Sequence, residues 1–151
     1  MATQFGLPVG QIERLAFRYG SLLEDVLAAG ADDATLRTPK PEWGDYLPAE
    51  IRYAVTAEGA LTLKDVMVRR THLAIELADG GRAAAPEIAA LIAPLLGWDE
   101  AETSQQVKGY LTEVESDRAA LEQLRAGVKS GAAPGQRGDS DGSAPNPGPT
   151  K

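Results

Sequence analysis

The stretch from Tyr46 to Glu76 leaves this chain little choice but to pack short helices together. Pro48, Gly59 and the Thr62–Asp65 pair punctuate it. Proline suits the first turn of a helix, and Gly59 marks a tight turn between helices. The apolar residues recur in separate sets: Leu47, Ile51, Tyr53, Ala54 and Val55, then Leu61, Leu63, Val66, Met67 and Val68, then Leu73, Ile75 and Leu77. T-x-x-D at Thr62 forms a capping box, with the threonine oxygen on an orphan amide and the aspartate near the positive helix start. The spacing predicts two or three short helices, one of them running from Thr62 to Arg70.

The same punctuation continues on both sides. Pro8 opens a helix carrying Val9, Ile12, Leu15 and Ala16, closed by Arg18-Tyr19-Gly20. Ser21 and Glu24 predict a second capping box, with Leu22, Leu23, Val26 and Leu27 as the apolar stripe and Gly30 as the left-handed end residue. Residues 31–45 read as an irregular loop around Pro39 and Pro41, pinned by Trp43 and Tyr46. Pro86 starts an apolar helix that Pro94 kinks or shortens and Gly97 ends. Asp99 and Glu102 cap a long helix of mixed charge running towards Arg125.

The expected fold is all-α, about five to seven helices over residues 8–127. Residues 1–7 read as a flexible N-terminus. Residues 128–151 are rich in Gly, Pro, Ser and Asp and lack large apolar side chains beyond Val128, so they read as a disordered tail. With hydrophobic residues at 43% and aromatics at 5%, the core must be built from Leu, Val, Ile and Ala. That composition suits helices.

A net charge of −7 argues against a nucleic-acid partner, including DNA binding by the first helix pair. No apolar run approaches the ~20 residues of a membrane span, and the N-terminus lacks the pattern of a signal peptide. Cysteine is absent, which removes disulfides and thiolate chemistry. No glycine-rich phosphate loop occurs. His72 is the sole histidine, so a Ser–His–Asp or metal site would hang on this one residue, with no second histidine or cysteine to share a metal, and a helix-end or interface role is the expectation. No catalytic, cofactor-binding or metal residue is assigned. Glu58 beside Gly59 reads as a turn carboxylate accepting backbone amides.

Arg69 and Arg70 point about 100° apart on a helix, so they cannot serve the same face. One is expected to pair with Asp65 or Glu76, leaving the other for a neighbouring domain or a phosphate. Arg69, Arg70 and His72 are the candidate domain-interface residues.

Y-A-V-x-x-E-G-A-x-x-L-x-D-V-x-x-R-R-T, from Tyr53 to Thr71, resembles the signature of the C-terminal helical domain of FAD-dependent glycerol-3-phosphate dehydrogenases and α-glycerophosphate oxidases. R-Y-G-S-L-L-E-D-V-L from Arg18 and E-I-A-A-L-I-A-P-L-L-G-W-D from Glu87 flank it in the matching order. The resemblance implies a parent enzyme that oxidises glycerol 3-phosphate to dihydroxyacetone phosphate through FAD, with quinone or oxygen as acceptor. It implies FAD and substrate domains as partners, and none of their flavin- or substrate-binding residues has a counterpart in this chain. The expectation is an isolated accessory domain, or a gene fragment encoding it, without activity alone. Its place would be the cytoplasm, or the inner face of the cell membrane through a peripheral parent enzyme. A free-standing helical module that binds a partner chain is the alternative.

Overall fold

The computed structural model describes residues 6–129. Six α-helices follow one another among them: α1 (Val9–Tyr19), α2 (Leu23–Ala28), α3 (Pro48–Thr56), α4 (Leu73–Glu76), α5 (Ala85–Leu96) and α6 (Glu100–Lys129). A π-helical segment, Asp65–Arg70, lies between α3 and α4, and no strand occurs among the described residues. The all-α expectation is met. The tail expected to be disordered lies outside the described residues from position 130, while Val128 and Lys129 belong to α6. Of the N-terminal stretch, Leu7 is buried in a core cluster.

The chain divides into two units, residues 1–118 and 119–151. Both core clusters lie in the first. One gathers Trp43, Ile51, Leu63, Met67, Ile88 and Ile92. The other gathers Leu15, Val26, Leu27, Leu47 and Tyr53. Helix α3 serves both: Ile51 and Ala54 face the first, Ala49 and Tyr53 the second. It packs on α5 and on α2, and six of its nine residues, Glu50 among them, are buried. Of the second unit, residues 119–129 are helical and expose Leu121 and Leu124.

Local chemistry explains most of the boundaries. Helix α3 opens with Pro48 in its first turn, and Glu50 accepts the Leu47 amide at 2.8 Å. The Thr62–Asp65 box forms in both directions: the Asp65 amide donates to Thr62 Oγ1 at 3.0 Å, and the Thr62 amide to Asp65 Oδ2 at 3.1 Å. Asp99 Oδ1 accepts the Glu102 amide at 2.8 Å. Trp43 and Tyr46 are buried as expected, and two short 3₁₀ turns, Ala34–Arg37 and Pro41–Trp43, order the loop before them.

Several expectations are corrected. Ser21 and Glu24 form no capping box: a 3₁₀ turn over Gly20–Leu22 occupies that place, and α2 starts at Leu23 without a side-chain cap. Gly30 is not left-handed. Glycine is needed there for space, because a Cβ would lie 3.0 Å from the Ala49 Cβ. Pro94 does not shorten α5, which runs through it to Leu96. The α-helix expected up to Arg70 widens to π register from Asp65.

Burial pushes the Asp65 carboxyl up, but hydrogen bonds from Thr62, from the Leu61 amide and from Arg69 outweigh it and hold the group below its ordinary range. The folded state therefore favours the charged form. Its contribution is present above the ordinary carboxyl pKa and is lost as pH falls through the lowered value. Asp65→Ala is expected to cost about 1 kcal/mol at pH 7. In denaturant titrations, the gap to wild type should close as pH drops below about 4. A gap unchanged at low pH would remove the electrostatic account.

Candidate domain-interface cleft

Two arginines one helical turn apart on α1 organise the polar side of the first unit. Arg14 and Arg18 share a face of that helix, as an i, i+4 pair must. Arg14 grips the fully buried carboxylate of Glu50 with both terminal nitrogens. Glu50 thereby closes the N-terminus of α3 and fastens α1 to it. Arg18 donates to the Thr71 carbonyl and lies 3.6 Å from Glu76. It ties α1 to the segment after the π turn.

The Tyr46 ring stands between them. The Arg18 guanidinium carbon is 4.5 Å from its centroid and that of Arg14 5.2 Å, both within cation–π range. Burial pushes the Tyr46 hydroxyl above its usual range, and Arg18 offsets only part of this. That hydroxyl faces Arg18 and Glu76 without hydrogen-bond geometry to either, and it has no partner among the described residues. The indole nitrogen of buried Trp43 also lacks one. On α1, burial and then the Glu50 carboxylate raise the Tyr19 hydroxyl.

The residues Arg14, Arg18, Tyr19, Trp43, Tyr46 and Glu76 line a cleft of about 750 Å³. Arg70 and His72 belong to its wall, and Phe17 and Leu22 supply apolar surface. Phe17 is 96% exposed. Leu22 is 45% exposed, so the two form an apolar patch at the cleft.

The three candidate residues separate as their geometry demands. Arg69 Nη1 pairs with Asp65 Oδ1 at 2.5 Å, one turn back, and does not line the cleft. Arg70 turns into the cleft and has no ion-pair partner among the described residues. His72 follows in a left-handed conformation, φ 63° and ψ 12°, and is exposed. The π turn sets this up. The Thr71 amide and hydroxyl both donate to the Val66 carbonyl, at 3.0 and 2.7 Å, which buries Thr71 and reverses the chain at His72. Glu58 also lines the cleft, but no backbone amide donates to its carboxylate among the described residues, contrary to the cap expected from the sequence.

Sequence reasoning passed over Arg14, Arg18, Glu50 and Phe17. The signal for Glu50 was present: a glutamate at the third position of a helix opened by proline reaches back to the preceding amide. Arg14 and Arg18 one turn apart carried a weaker one, since exposed arginines share that spacing. Among the described residues no group of side chains could hold a metal ion, and no helix is long and apolar enough to cross a membrane.

Residues 1–103 match the family described as the C-terminal domain of alpha-glycerophosphate oxidase. Glycerol-3-phosphate dehydrogenase 2 of Mycobacterium bovis is 42% identical over 112 residues, which is 74% of this chain and 19% of that protein. Glycerol-3-phosphate dehydrogenase of Mycobacterium leprae is 43% identical over the same length, with the same coverage of each chain. The probable mitochondrial glycerol-3-phosphate dehydrogenase of Dictyostelium discoideum is 32% identical over 104 residues, 69% of this chain and 16% of that one. The chain thus spans about a fifth of the length of the mycobacterial relatives it matches. No solved structure matches it. With two thirds of its residues inside that match, which holds the cleft and most of both cores, the chain belongs to the family of C-terminal domains of alpha-glycerophosphate oxidase.

Proposed function

We propose that the chain acts as the accessory C-terminal domain of a flavin-dependent glycerol-3-phosphate dehydrogenase. The parent enzyme oxidises glycerol 3-phosphate to dihydroxyacetone phosphate and passes the electrons to a quinone. This domain packs on its FAD and substrate domains and carries no catalytic group. The observation that carries the reading is the alignment of this chain with one fifth of proteins named as glycerol-3-phosphate dehydrogenases.

Flavin is assigned to the remaining part of such an enzyme. The described residues have neither the strand nor the glycine loop that present a pyrophosphate to a helix start, so they do not fit the cofactor and no step is routed through it. Arg70 and His72, on the cleft wall, are assigned to the contact with the neighbouring domains. Arg69, committed to Asp65, supports them from the same turn. On this reading the domain works in the cytoplasm or, through its parent enzyme, at the inner face of the cell membrane.

The test pairs this chain with the remaining four fifths of the M. bovis relative. The two are expected to co-purify, and glycerol 3-phosphate oxidation by the truncated enzyme should rise on adding the chain. Flavin absorbance and turnover in this chain by itself would overturn the reading. A lone chain that self-associates in light scattering and ignores the truncated enzyme would favour the free-standing module.

A further inference from the structure

The cleft states what kind of surface covers it. Of its three arginines, Arg14 is matched by Glu50, and Arg18 by Glu76 and the Thr71 carbonyl. Arg70 is the one left without an ion-pair partner among the described residues. Covering an unpaired guanidinium with apolar surface would cost its hydration, so whatever docks must bring an acceptor. A carboxylate suits the planar fork best.

The opposite charge is present at the same cleft. Asp45 and Glu58 also line the cleft without ion-pair partners among the described residues. A free phosphate or a polyanionic segment would meet their repulsion. The occupant therefore carries both signs of charge. Phe17 and Leu22 at the same cleft add a demand for apolar contact.

We propose that the cleft seats a mixed-charge segment of the adjoining flavin- and substrate-binding part, whose carboxylate pairs with Arg70 beside His72 while an apolar side chain packs on Phe17 and Leu22. This rests on the accessory-domain reading above. It adds the chemistry of the contact: the carboxylate takes the place that Asp65 fills for Arg69, and the basic group of the segment answers Asp45 and Glu58.

The experiment measures affinity between the full chain and the remaining four fifths of the M. bovis relative, by calorimetry at two salt concentrations. Arg70→Glu is expected to weaken binding by about tenfold or more, and Phe17→Ala by about tenfold. The Arg70→Glu effect should shrink as salt rises, and the Phe17→Ala effect should not. Glu115→Lys, exposed on α6, is the control and should bind as wild type. All three sites are exposed, and circular dichroism identifies any variant that fails to fold. Wild-type binding that Arg70→Glu and Phe17→Ala leave intact would overturn this inference and keep the accessory-domain reading. No binding by the wild-type chain would remove that reading and the inference with it. A wild-type dimer in light scattering, dissolved by Arg70→Glu, would assign the cleft to a second copy and overturn the proposal.

Discussion

Replacing Glu50 by alanine should lower the unfolding free energy of the chain by about 4 kcal/mol. The carboxylate is fully buried, grips Arg14 with both oxygens, and accepts the Leu47 amide at 2.8 Å. Losing one member of a buried pair leaves the other charge uncompensated, at about 3–5 kcal/mol. Arg14 is 22% exposed, so water reaches its guanidinium and the lower end applies. The α3 amide at Leu47 loses its acceptor as well, at about 1 kcal/mol. A double replacement, Arg14→Met with Glu50→Met, separates these contributions. It removes both charges while keeping volume, and should recover all but about 1 kcal/mol of the loss. Denaturant unfolding of the two variants decides between them. If Glu50→Ala cost no more than a surface substitution, the pairing between α1 and α3 would not be what joins those helices.

The helix starts were legible wherever a proline or a cap sat beside an apolar set. Pro48, Thr62 with Asp65, and Asp99 each open an element as expected, because a cap is settled within four residues of sequence. Ser21 had the same local pattern and failed, since the chain had already turned at Gly20 into a 3₁₀ segment. The division of labour between Arg69 and Arg70 was also readable, because helix geometry alone sends neighbours apart. The π register was not readable. It depends on Thr71 folding back on Val66 and on Arg18 taking the Thr71 carbonyl from 53 residues away. Nothing within that short window marks a contact of such length. His72 escaped for the same reason: a left-handed residue is usually signalled by glycine, and here tertiary bonds hold a histidine in that conformation. The cleft as a whole was therefore half visible, Arg70 and His72 named and Arg14, Arg18 and Phe17 passed over.

Gly80→Ala should cost about 2–4 kcal/mol, the other large effect expected of a single replacement. Two penalties combine there. The backbone is left-handed at φ 70°, which burdens any residue with a Cβ by about 1–2 kcal/mol. A Cβ would also fall 2.8 Å from Val114 Cγ1 on α6. Valine in a helix has one strongly preferred rotamer and cannot swing aside. The loop cannot retreat either, because the Gly80 carbonyl accepts a 2.6 Å hydrogen bond from Tyr110, whose hydroxyl burial pushes up to about 12. Gly59 supplies the internal comparison. It has the same φ, 70°, with nothing within 4 Å of a built Cβ. Gly59→Ala should therefore cost the conformational part alone, about 1–2 kcal/mol. Measured in a Val114→Ala background, Gly80→Ala should fall to the Gly59 value, since the clash is gone and the dihedral cost remains. Equal costs at the two glycines in the wild-type background would mean that α6 yields to the loop, and that the close approach of Gly80 to Val114 is not what fixes the helix at that point.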